Sequence, residues 1–99
     1  MFNYIKKESA LNIVRAKKNE YEEFMNKEIK SIEQWLDTNK IDDNISEAIK
    51  NSLKNRSTCV TYDCVRNYLD LCSHIMLYNV WKTEYWCAVD ILKDLEHLC

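Results

Sequence analysis

Glycine and proline are both missing from this chain, with none of either in 99 residues. Average usage would supply about seven glycines and about five prolines in this length. Glycine is the residue that reaches positive φ without strain, and proline stiffens turns and interrupts helices. Without them the chain has no glycine-rich phosphate cradle, no Asn-Gly hairpin turn and no nucleophile elbow. The chain also lacks a long apolar run. No stretch approaches the roughly 20 apolar residues of a membrane span, and the first 18 residues hold no core for an export signal. The protein is therefore expected in the cytoplasm, away from any membrane, with its five cysteines (Cys59, Cys64, Cys72, Cys87, Cys99) reduced.

What is present is globular in character. Apolar residues make up 46 % of the chain and charged residues 30 %, with a formal charge of −2. The charges are segregated along the sequence. Residues 1–18 carry five basic side chains against Glu8, and residues 19–48 carry nine acids against three lysines. Residues 49–66 turn basic again through Lys50, Lys54, Arg56 and Arg66, and the remainder is acidic. Solvated helix faces account for most of this pattern. Its sharpest element is an acidic surface in the second quarter of the chain.

Apolar residues recur at three- and four-residue steps almost throughout, which is the helical period. The spacing predicts an all-α domain over 1–99, a small irregular bundle of three or four helices over about 8–38, 44–55, 61–78 and 80–98. Tyr21, Phe24, Met25, Ile29, Ile32, Trp35 and Leu36 form the first stripe. Asn39 can end that helix in the left-handed conformation without glycine. Asn44, with Glu47 three residues on, reads as the cap of the second helix, whose apolar face is Ile45, Ala48, Ile49 and Leu53. Val65, Tyr68, Leu69, Cys72, Ile75 and Met76 form the third stripe, and Trp81, Tyr85, Ala88, Leu92, Leu95 and Cys99 the fourth. Asn79 is the expected break between them, since one uninterrupted helix over 61–98 would be about 57 Å long and would outrun shorter partners. Met25, Ile32, Leu69, Ile75 and Leu92 are the expected core. Residues 58–62 and 80–89 are rich in β-branched and aromatic side chains, where a short strand would compete.

Little in the sequence points to chemistry. Structural zinc sites use ligand pairs two to four residues apart, twice over. Here Cys59 and Cys64 have four residues between them, Cys72 is followed by His74, and no second pair exists. Cys72 lies on a helical stripe, where a free cysteine behaves as a small apolar residue. A di-iron bundle requires Glu-x-x-His, and no glutamate precedes His74 or His97 by three residues. Cys72 and His74 are two apart and point to different sides of a helix, while Asp70 and His74 share a side. No catalytic residue, metal ligand or cofactor is assigned.

The densest local feature is aromatic: Tyr78, Trp81, Tyr85 and Trp86 fall within nine residues. One side of a helix cannot bury all four rings. Tyr78 and Trp86 are the expected exposed ones, and Trp and Tyr are the residues that most often anchor binding interfaces. The sequence thus reads as a non-enzymatic protein-binding module of inhibitor, immunity or adaptor type. Its expected partner surface combines Glu22, Glu23, Asp42, Asp43 and Glu47 with Tyr78 and Trp86. A basic partner such as a nuclease would suit the acids through electrostatic steering. The runner-up is a nucleic-acid-binding regulator using the basic segment Lys50–Arg66, although near-neutral charge favours no nucleic-acid partner. A small cysteine-dependent or metal protein is the third reading.

Overall fold

The computed structural model describes the backbone of residues 2–56 and 65–97, and the side chains from residue 7 onward within those ranges. The chain is all-α. Helix α1 spans Phe2–Thr38, α2 spans Asp43–Leu53 and α3 spans Leu69–Glu96. Cys59, Cys64, Cys99, the expected helix start near Thr61 and the strand-prone residues 58–62 lie outside the described residues. The other strand-prone stretch, 80–89, is helical.

Helices α1 and α3 form a long antiparallel hairpin. Tyr21 stacks on Trp81 at 5.9 Å between centroids and Phe24 packs tilted against it at 4.7 Å, Glu28 meets His74 and Trp35 meets Tyr68 at 5.5 Å. Positions thus fall along α3 as they rise along α1. Helix α2 folds back against one end of this hairpin, and there the core assembles from Ile32 and Leu36 of α1, Ile49 of α2, and Val65, Leu71, Ile75 and Tyr78. Among the described residues, the other end is two helices only. The molecule measures 59 × 19 × 17 Å.

Asn79 does not break the last helix: α3 runs through it without interruption, and Thr83 Oγ1 donates to its carbonyl at 2.9 Å. An asparagine inside a helix costs less than about 1 kcal/mol. The expected obstacle, a long helix without a long partner, vanishes because α1 has 37 residues, about 55 Å at 1.5 Å per residue.

Two helix ends also differ from expectation. Helix α2 is capped by Asp42, not Asn44: the Asp42 carboxylate accepts from the backbone N–H of Asn44 (2.9 Å) and Ile45 (3.3 Å). Glu47 therefore sits too far into the helix to complete a capping box. Helix α1 ends without a left-handed residue, since no described residue has positive φ. Instead the Asn39 side-chain amide and backbone N–H both donate to the Trp35 carbonyl, at 3.0 and 2.9 Å. An asparagine that uses its side chain this way replaces the glycine the chain lacks.

The buried line of α3 is Leu71, Ile75, Tyr78, Lys82, rotated by roughly one residue, about 100°, from the expected stripe. Ile32 and Ile75 are fully buried as expected, and Met25 and Leu92 are partly so. Leu69 is 78 % exposed, and Met76 is exposed as well. The cause is that α3 has two apolar faces, and α2 covers the one bearing Tyr78.

Candidate interaction surface

The acids of the expected surface divide into two groups. Glu22 and Glu23 lie midway along α1, and Asp42, Asp43 and Glu47 lie at the start of α2. From Glu22 to the end of α1 is 16 residues, about 24 Å. Asp42 is engaged in capping, so part of its charge already serves the N–H groups and dipole of α2.

The two aromatics part company. Tyr78 is not a surface residue: it is 1 % exposed, and its hydroxyl donates to the Leu53 carbonyl at 3.3 Å. It lies under the C-terminus of α2, beside Lys82, whose Nζ stands 5.3 Å from the Tyr78 ring centroid. Lys82 is 4 % exposed, and its ammonium donates to the carbonyls of Ser52 (3.3 Å) and Asn55. A cation and a hydroxyl from α3 thus satisfy backbone carbonyls at and just beyond the end of α2, where the helix dipole favours positive charge. Tyr78 was expected at the surface because ring size alone limits burial on one side; a third helix supplies the second side.

Trp86 remains half-buried, on the side of α3 reached by the chain leaving α2. Arg56 lays its guanidinium 4.3 Å from the Trp86 ring centroid and grips Asp90 through both carboxylate oxygens, at 2.8 and 2.9 Å. Tyr85 meets the Trp86 ring edge-on at 5.0 Å. This Arg56–Trp86–Asp90 cluster joins residues 34 positions apart, so no local spacing announces it. An arginine held over an indole by a carboxylate is ordered before any partner arrives, which lowers the ordering cost of binding.

Among the cations of the 50–66 segment, Lys50 pairs with Asp37 at 3.8 Å and Arg56 with Asp90. Among the described residues, two of its four basic side chains thus have acidic partners.

The chemistry-bearing residues assemble less. His74 Nδ1 lies 2.8 Å from Oε2 of Glu28, a carboxylate buried between α1 and α3. The glutamate was legible as a polar residue at a stripe position of α1; its partner across the hairpin was not. His74 also lines a shallow groove of about 280 Å³ with Ser31, Gln34, Trp35, Thr38 and Asn39. The two hydroxyls there are engaged with their own helix: Ser31 donates to the Lys27 carbonyl and Thr38 to that of Gln34. Cys72 is half-buried and Cys87 exposed. Among the described residues, no three His, Cys, Asp or Glu side chains stand close enough to hold a metal ion. No described helix is long and apolar enough to cross a membrane.

Comparison of the chain with protein-family models, with curated proteins and with solved structures finds no match in any of the three.

Proposed function

We propose that this protein is a non-enzymatic protein-binding module, of the inhibitor, immunity or adaptor kind, that works in the cytoplasm. The observation that carries the reading is the Arg56–Trp86–Asp90 cluster: a partly exposed tryptophan under a fixed arginine. Trp and Arg are among the residues most enriched where alanine substitution costs an interface most. The acids at Glu22, Glu23, Asp43 and Glu47 support a partner with a basic surface, approached through long-range attraction. The internal pairing of Lys50 and Arg56 weakens the nucleic-acid reading, because those charges are already partly neutralised.

Binding kinetics against a purified partner protein test this. Trp86→Ala should speed dissociation by about 30-fold or more, the effect of an interface anchor worth about 2 kcal/mol. Arg56→Ala, altering an exposed residue, provides a second variant should Trp86→Ala disturb the fold. If both variants fold and neither changes affinity, the Trp86 surface is not the binding site.

A further inference from the structure

We propose that the two-helix end of the hairpin is a self-complementary interface through which two copies of this chain pair about a two-fold axis. This surface is separate from the Trp86 cluster. Trp86 and Glu84 are two residues apart on α3, so they project roughly 160° apart around the helix.

The first argument is area. A compact monomer of 11.9 kDa exposes about 6,000 Å², whereas this chain exposes 7170 Å². Its radius of gyration is 17.1 Å against about 13 Å for a compact chain of this length. The surplus of about 1,200 Å² exceeds the roughly 800 Å² that each partner contributes to a stable dimer. Among the described elements, α2 covers only one end and one face of the hairpin. Ile29 and Glu33, which line the groove beside α2, lie roughly 120–160° round α1 from Lys17 and Ile13. The face bearing Lys17 and Ile13 therefore stays uncovered by α2.

The second argument is the pattern on that face. A groove of about 200 Å³ runs between α1 and α3 there, with Ile13 63 % exposed on one wall and Ile91 49 % exposed on the other. Its charged side chains are one of each sign, Lys17 on the α1 wall and Glu84 on the α3 wall. Tyr21 with Trp81 and Glu28 with His74 fix the register of the hairpin, which places Lys17 and Glu84 at the same level across the groove. A two-fold axis lying over this face and parallel to the groove sets the α1 wall of one copy against the α3 wall of the other at the same level. Lys17 then faces Glu84 of the second copy, twice over. One turn along, Ile13 faces Ala88 and Ile91 of the second copy, and one turn the other way Tyr21 faces its exposed Val80. Opposite charges meet at the centre with apolar residues on both sides. A single-sign rim would instead repel its own image. Pairing of two such ends makes a four-helix bundle, which buries the stripes that two helices alone leave open.

Sedimentation equilibrium of the full chain from about 1 µM to about 1 mM tests the proposal, a range that spans weak to moderate association. The expected result is a reversible rise from one chain mass to two. Ile91→Asp and Ile13→Asp alter exposed positions, so helicity by circular dichroism should be retained. Each should raise the dimer dissociation constant about 30-fold or more, since every substitution occurs twice in a two-fold interface. Lys17→Glu alone should also weaken the dimer, and adding Glu84→Lys to it should restore most of the loss. A chain that stays monomeric to about 1 mM would overturn the proposal. So would a dimer indifferent to Ile13→Asp and Ile91→Asp, or a failure of the charge swap to restore association in variants that remain folded.

Discussion

Single residues carry unequal shares of this fold, and burial separates them. Ile32 and Ile75 sit fully enclosed where the three helices meet, so truncating either to alanine should cost about 2–5 kcal/mol in urea unfolding. Leu69→Ala at the exposed start of α3 should change stability by less than about 0.5 kcal/mol. Equal losses at all three sites would mean that α3 is rotated from the phase described. Lys82 is the least expected member of the interior. Its methylenes run through the core line of α3 while its ammonium serves the carbonyls after α2. Lys82→Met keeps the stem and removes a charged donor from the Ser52 and Asn55 carbonyls, and should destabilise the chain by about 1–3 kcal/mol. A Met variant as stable as the parent would show that those carbonyls find other donors.

At the scale of the elements, the helical character of the chain was plain from the period and from the missing glycine and proline, but the joints were not. The apolar steps from Tyr21 to Leu36 identified α1 because its single broad stripe is the side that meets both α2 and α3. The steps in α3 misled, since Leu69, Met76 and Val80 form a second apolar line as regular as Leu71, Ile75 and Tyr78. Periodicity reports that a face is apolar; which face is covered depends on where α2 docks. For the same reason Tyr78 was misplaced on the surface and the Arg56–Trp86–Asp90 cluster went unseen, since both depend on contacts across the fold. The start of α2 was missed by two residues because Asp42 and Asn44 are both good caps, and capping geometry selects the aspartate. Asp42→Ala should therefore cost about 0.5–2 kcal/mol, whereas Asn44→Ala should cost a few tenths at most. The reverse order in thermal unfolding would restore Asn44 as the cap.

At the scale of the whole molecule, a hairpin 59 Å long with a third helix at one end offers far more surface than its core requires. The acids at its middle and its α2 end lie apart from Trp86, so attraction and anchoring should separate in kinetics. Reversing Glu22, Glu23 and Glu47 to lysine should slow association with a basic partner and flatten its salt dependence while leaving dissociation nearly unchanged. Asp42 is kept out of that set, because its reversal would also uncap α2. An association rate indifferent to the three reversals at low salt would remove electrostatic steering from the account. The most direct test of a protein-binding role is affinity capture from the native cell, with the intact chain and a folded Trp86→Ala variant as parallel baits. The account predicts one protein retained in stoichiometric amount by the intact chain, depleted on the variant, and forming the same complex when both proteins are purified. A chain that retains nothing beyond an unrelated helical control, or that retains the same protein equally through the Trp86→Ala variant, would contradict it.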